Sequence, residues 1–318
     1  MSTPEIMTAF STGLAAINLD ETGTPRRGAE AERMKTASAT IYDLAVERSS
    51  GNDLWNWGMH DPEVVRDIER TIADFGRFGT DGFSEQLYFQ ALRGIPMSFD
   101  DYAGKTVLEI GCGPGEGLNF LSRAVPTARF VGVDLSPMAV RRANALLARG
   151  EQLRFVHGDA EELPFEDGAV DVVVNIESSH TYPDLGRFLG EVSRVLRPGG
   201  HLTHIDLFTR QRYAHFQRLA PGVEGLDWVR EFDLSEQVRA AVRARMAPDS
   251  HFHRALARER MSALARRVQE HSRILMFGGA FAGYRPSRTI RVLHRLGVVP
   301  WLSGLPMESY RQHVARRR

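Results

Sequence analysis

The apolar run Val107-Leu108-Glu109-Ile110 leads straight into Gly111-Cys112-Gly113-Pro114-Gly115-Glu116-Gly117, and no other stretch restricts the fold as much. Glycine at every second position lets the backbone reverse sharply and lets its N–H groups approach a ligand with no Cβ in the way. Two more short apolar strands follow, each closing on an acid. Residues 129–133 precede Asp134, and residues 153–157 precede Gly158-Asp159-Ala160. Carboxylates at strand ends beside a glycine turn suit a nucleoside, because they accept hydrogen bonds from its hydroxyls and its amine.

Composition narrows the partners. The 318 residues hold 40 basic and 40 acidic side chains, so no global field draws the chain to nucleic acid or an anionic membrane. The single cysteine, Cys112, excludes an intramolecular disulfide framework and fits a reducing cytoplasm. Residues 1–20 lack a basic leader pattern, and no apolar run is long enough to span a bilayer. The expectation is a soluble, cytoplasmic protein.

Helical spacing dominates residues 1–100, with the part before Ala29 reading as a loose or swapped arm. Asp61-Pro62 pairs an N-cap residue with proline at the first helical position. Strand and helix then alternate: strands at 106–110, 129–134, 153–157, 170–176, 201–207 and 226–234, with 197–200 read as a turn and a last strand at 310–315. Continuous apolar strands separated by helices predict a Rossmann-like α/β fold with a seven-stranded, mostly parallel sheet. Four segments are expected: an N-terminal helical cover (1–100), a nucleoside-binding core (101–234), a helical lid inserted before the last strand (235–302), and a returning strand (303–318).

A nicotinamide dinucleotide site would use G-x-G-x-x-G. Here Glu116 stands where the sixth glycine belongs, Pro114 removes an N–H from any phosphate nest, and a buried Glu109 would repel a pyrophosphate. Glu109 suits a cationic amino-acid head group instead.

With Glu109, Asp134 and Asp159 at this spacing, residues 102–207 resemble class I S-adenosylmethionine-dependent methyltransferases, whose signature is E/D-x-G-x-G-x-G. Leu163-Pro164-Phe165 and Val195-Leu196-Arg197-Pro198-Gly199-Gly200 belong to the same likeness. Four shorter words are similar to the branch holding phthiotriol dimycocerosate methyltransferases and tocopherol-methyltransferase-like enzymes. They are Ser49-Ser50-Gly51, Asn56-Trp57-Gly58, Ser84-Glu85-Gln86-Leu87-Tyr88 and Asn175-Ile176-Glu177-Ser178-Ser179-His180. Natural-product tailoring methyltransferases share much of this pattern.

The resemblance implies S-adenosylmethionine as cofactor. It places Gly111, Cys112 and Gly113 beneath the methionine part, Glu109 and the Asn175 carbonyl toward the ammonium, and Asp134 on the ribose hydroxyls. It places Leu135 on the adenine, Asp159 and Ala160 at its edge, and Gln86 and Trp57 over the cofactor. Cys112 reads as a buried filler, not a nucleophile.

Methyl transfer from a sulfonium needs alignment and, for a weakly acidic acceptor, a base. His180 is the expected base, since its unperturbed pKa lies near neutrality; Glu177, His204 and Asp206 are the alternatives. No metal site is expected, the pair His251 and His253 lacking completing ligands. Residues 235–284 mix arginines with apolar side chains, an amphipathic pattern that fits a solvated helix pair or a lid over a lipophilic acceptor. The expected function is O-methylation of a small lipophilic natural product or lipid in secondary metabolism. Carbon methylation and a non-catalytic S-adenosylmethionine binder are the alternatives, and a homo-oligomer through the arm or the lid would fit.

Overall fold

The computed structural model describes residues 24–48, 56–299, 302–304 and 306–318. Residues 1–23 of the expected arm and the word Ser49-Ser50-Gly51 lie outside the described residues. Seven strands form one sheet: β1 Thr106–Ile110, β2 Arg129–Asp134, β3 Leu153–His157, β4 Val170–Ile176, β5 Leu196–Phe208, β6 Leu226–Asp233 and β7 Ser309–Arg317. Their order is β3-β2-β1-β4-β5-β7-β6. The first five pair in parallel, and β7 runs antiparallel between β5 and β6.

Alternation along the strands feeds two cores. Val107, Phe130, Val172 and Val174 pack on one face, while Leu108, Ile110, Val131, Val133 and Val173 pack on the other. Both faces are therefore apolar, as a parallel sheet covered by helices requires. The expected turn at 197–200 is drawn into β5, which runs extended from Leu196, with the register against β4 shifting between Val170 and Val172.

Helices enter where the sequence supplies caps. Helix α1 spans Gly28–Arg48, α2 Pro62–Thr71 and α3 Phe83–Arg93. Asp61 Oδ1 accepts from Glu63 N at 2.8 Å, and Pro62 opens α2. Between the strands lie α4 Glu116–Ala124, α5 Pro137–Leu147, α6 Leu185–Val195 and α7 Arg210–Leu219. Four more helices intervene between β6 and β7: α8 Ser235–Met246, α9 His251–Arg258, α10 Ala263–Met276 and α11 Arg288–Arg295. None of the described helices is long and apolar enough to cross a membrane.

Candidate functional site

A cavity open to solvent lies over the carboxyl ends of β1, β2, β3 and β4. The glycine turn forms its floor, Asp134–Ser136 and Gly158–Glu161 line one end, and Ile176–Ser178 the other. Helix α1 lies across it, contributing Lys35, Ser38, Ala39 and Tyr42.

The glycines hold this shape for separate reasons. Gly111 has φ +74°, and a Cβ there would stand 2.5 Å from Ser178 Oγ. A Cβ on Gly117 would fall 1.8 Å from the Tyr88 ring. Gly113, at φ +52°, has open space where a Cβ would stand, on the cavity side. Beneath the turn, the Asn175 amide donates to the Ile110 carbonyl at 2.9 Å and to Ser178 Oγ at 2.7 Å. Asn175 is fully buried and supports the turn from below, outside the cavity lining.

Asp134 closes the second strand as expected and lines the cavity. Its Oδ2 accepts from Gly113 N at 2.7 Å and its Oδ1 from Ser136 N at 2.8 Å, which fixes the carboxylate plane. Burial pushes its pKa up, against those two hydrogen bonds. Leu135, Asp159 and Ala160 share this end. Asp159 is already engaged: its Oδ2 accepts from Lys35 Nζ at 2.5 Å, and the same ammonium lies 2.9 Å from Glu161 Oε2. Lys35 thus ties α1 to the expected adenine end, a contact that only the fold brings about.

Glu109 sits one layer deeper than expected. It is fully buried and absent from the lining, and Tyr88 donates its hydroxyl to Glu109 Oε1 at 2.7 Å from the cavity wall. Its Oε2 has no partner. Burial pushes the carboxyl up to about 8, the nearby Asp134 charge adding to it and the Tyr88 hydrogen bond opposing.

Two residues expected over the cofactor face elsewhere. Gln86 accepts from Asp61 N at 2.9 Å and donates to Gly82 O at 3.1 Å, so it stitches the entry to α2 onto α3. Trp57 packs its ring on Phe281 and Tyr310 and donates Nε1–H to Met276 O at 3.1 Å. Neither lines the cavity, whereas Tyr88 and Asn56 from the same two sequence words do.

The four expected bases separate. Glu177 lines the cavity next to the glycine turn. It is the only non-glycine among the described residues with a left-handed backbone, at φ +45°. Its Oε1 accepts from Trp57 N at 2.6 Å and from the Tyr310 hydroxyl. Burial pushes the Glu177 carboxyl up to about 8; Tyr310 and Trp57 oppose by hydrogen bonding, the Asp206 charge adds to the rise, and the Arg245 charge counters it. A strained residue with a raised pKa at a cavity wall marks a working group.

His180 opens instead into a second recess that shares Tyr182 and Pro183 as a wall with the first. Its Nδ1 lies 2.8 Å from Asp206 Oδ1, and its N–H donates to Asp206 Oδ2 at 2.9 Å. Asp206 also accepts from Ser179 Oγ at 2.5 Å and Leu207 N at 2.8 Å. Although burial works against its charge, the His180 contacts hold Asp206 well below the usual carboxylate range. His204 is fully buried with Nε2 2.8 Å from Ser179 Oγ, and burial pushes it down to about 4. Glu177 and His180 follow β4, and His204 and Asp206 lie within β5. Of the four, Glu177 lines the cavity and His180 and Asp206 line the second recess.

Arg245 of α8 holds the segment that carries Trp57. Its guanidinium donates to both carboxylate oxygens of Asp81 at 2.7 and 2.9 Å, to Asn56 O at 3.1 Å, to Trp57 O at 2.8 Å and to Ser84 Oγ at 2.9 Å. Among the described residues no group of three or more His, Cys, Asp or Glu is arranged to hold a metal ion.

Residues 108–203 match the methyltransferase domain family. The chain is 50% identical over 108 residues to a phthiotriol/phenolphthiotriol dimycocerosates methyltransferase of Mycobacterium leprae, covering 33% of this chain and 38% of that protein. It is 37% identical over 183 residues to a fatty-acid O-methyltransferase of Mycolicibacterium smegmatis, covering 56% and 61%. The matches thus span less than two thirds of these relatives. Geranyl diphosphate C-methyltransferase from Streptomyces coelicolor A3(2) superposes with TM-score 0.56 at 18% identity, over 90% of this chain and 98% of that one. The [4+2]-cyclase SpnF superposes with TM-score 0.51 at 16% identity, over 89% and 96%. Such likeness shows the fold alone, and a fold shared with a cyclase leaves the reaction to be argued from the site.

Proposed function

For a chain whose residues 108–203 match the methyltransferase domain family, we propose transfer of a methyl group from S-adenosylmethionine to an oxygen of a lipophilic acceptor. The residues present suit that cofactor. Gly113 leaves open space over the turn, Asp134 is pinned at the cavity edge, and the buried Glu109 carboxyl keeps an unpartnered oxygen behind Tyr88. Asp134 would take the ribose hydroxyls, Leu135 and Ala160 would flank the adenine, and Asp159 would accept from its amine beside Lys35. Bound there, S-adenosylmethionine supplies a methyl group on a sulfonium, open to in-line displacement.

The observation that carries the reading is Glu177. Glu177 lines the cavity beside the glycine turn, its carboxylate held by Trp57 N–H and the Tyr310 hydroxyl, in a backbone conformation that glycine adopts most cheaply. A carboxyl pushed up to about 8 is a stronger base, once ionised, than an ordinary one. Glu177 would take the proton from the acceptor hydroxyl as its oxygen attacks, while α1, which lies across the cavity, would keep water out; the expected lid (235–302) contributes no residue to the cavity lining. His180, on the other side of Tyr182 and Pro183, would shape the acceptor's surroundings. Similarity to a phthiotriol/phenolphthiotriol dimycocerosates methyltransferase and to a fatty-acid O-methyltransferase supports a lipid acceptor.

Calorimetry with S-adenosylhomocysteine should show binding, and Asp134→Ala should weaken it at least tenfold, since a charge-assisted bidentate contact is lost. Absence of heat with the unaltered chain would defeat the cofactor assignment. With a labelled methyl donor, fatty acids and long-chain diols should acquire an alkali-stable or ester methyl on oxygen. Label recovered on carbon would reject O-methylation.

A further inference from the structure

The zero net charge of the chain hides a division. Residues 235–307 hold thirteen arginines and four acids, which leaves twenty-seven basic and thirty-six acidic residues in the rest. The basic excess is therefore local to the inserted helices.

Apolar exposure concentrates in the same place. Seven large hydrophobic residues are exposed among those described, and five of them lie here: Leu264, Met276, Val292, Leu296 and Val298. The last three stand on α11 and the turn after it, at 52%, 71% and 53% exposure. Helix α11 buries Ile290 and Leu293 against Val299, Val268 and Leu302, so one side is anchored while Val292 and Leu296 point away. Arg285, Arg288, Arg291 and Arg295, all exposed, precede or interleave with these aliphatic residues along the same stretch of chain. No carboxylate lies within ion-pair distance of any of the four among the described residues, in contrast to Arg273, which pairs with Glu259 at 2.9 Å.

We propose that this face of the insertion, centred on α11, docks on an anionic lipid surface. Cationic heads around exposed aliphatic side chains match the boundary between phosphate and acyl chain. The arginines meet the lipid phosphates, and Val292, Leu296 and Val298 enter the outer acyl region. A nucleic acid would take the arginines but leave the aliphatic residues against water, so the combination favours lipid. Charge does the steering and the aliphatic side chains add the hold, so binding weakens with salt. The inference stands apart from the methyl-transfer reading and survives if that reading fails.

The test is co-sedimentation of the full chain with vesicles of phosphatidylcholine alone or with about one third phosphatidylglycerol. Binding should appear only with the anionic vesicles and fall at least tenfold between ~0.1 and ~0.5 M salt. A triple Arg288→Gln, Arg291→Gln, Arg295→Gln variant should lose it. So should Val292→Ser, Leu296→Ser, Val298→Ser, with thermal melting confirming that both variants stay folded. No binding to anionic vesicles overturns the proposal, as does binding that both variants retain. Equal affinity for a single-stranded RNA would assign the face to polyanions in general and also overturn it. A dimer in light scattering that the serine variant dissolves would give the face to a second copy instead.

Discussion

At the residue scale, two carboxyls that burial pushes up to about 8 stand in different surroundings. Glu109 is enclosed behind Tyr88, whereas Glu177 reaches a cavity wall and is held there from two other elements. Replacing Glu177 by Gln should leave S-adenosylhomocysteine affinity within a few-fold and cut kcat by ~10²–10⁴. His180→Ala should cost less than Glu177→Gln. Because the raised carboxyl must ionise to accept a proton, kcat/KM of the unaltered chain should climb with pH through an inflection near 8. A profile flat from pH 6 to 9 would remove Glu177 from the role. The glycine turn, Asp134 and Asp159 were legible in the sequence, since spacing alone dictates them. That Glu177 lines the cavity and His180 the neighbouring recess was not, because it depends on how the chain after β4 is placed in three dimensions.

At the element scale, the site is assembled from parts far apart in the chain. Helix α3 shows how a short motif misleads. Gln86 and Tyr88 are two positions apart, roughly 200° around the helix, so they cannot share a face. Tyr88 takes the cavity side and Gln86 turns to the entry of α2. Strand and helix positions along the chain could be read from hydrophobic period, but this contact needed the helix set against the sheet. Helix α8 reaches the same region through Arg245, whose hydrogen bonds hold the Asn56–Trp57 backbone that donates to Glu177. Arg245→Ala should therefore do two things. It should cost ~3–5 kcal/mol by stranding Asp81, seen as a lower urea midpoint. It should also move the pH inflection above 8, as the N–H to Glu177 loosens and a countering cation disappears. Arg245→Lys should restore the inflection more than the stability. An unchanged profile in the alanine variant would make Arg245 a purely structural tie.

At the scale of the whole molecule, buried titrating groups set a stability profile. Glu109 and Glu177 are raised to about 8, so their stabilising contribution is complete below ~4.3, the unfolded value, and is lost as pH climbs through 8. Burial lowers His204 to about 4 and His313 to about 2, so theirs is present above ~6.5 and lost on acidification. The slopes oppose each other between about pH 4.5 and 6.5, and only the carboxyl slope remains above that. Without ligand, the unfolding free energy should therefore fall from pH 6.5 toward 8, by at most ~1.4 kcal/mol per pH unit for each proton released; Tm should drop with it, and Glu109→Gln should flatten the fall. A Tm that rises over this interval would contradict the assignment. The position of β7 carries a consequence for biogenesis. Phe208 of β5 pairs with Ser309, about a hundred residues later. At ~5–20 residues per second, a ribosome leaves the edge of β5 without its neighbour for roughly 5–20 s. For that interval the nascent chain offers a bare strand edge to any other strand nearby. Tyr310, and with it the grip on Glu177, arrives only when that edge is closed. Crowded polysomes should thus be where this protein is most prone to mispairing, and where a chaperone would help it most.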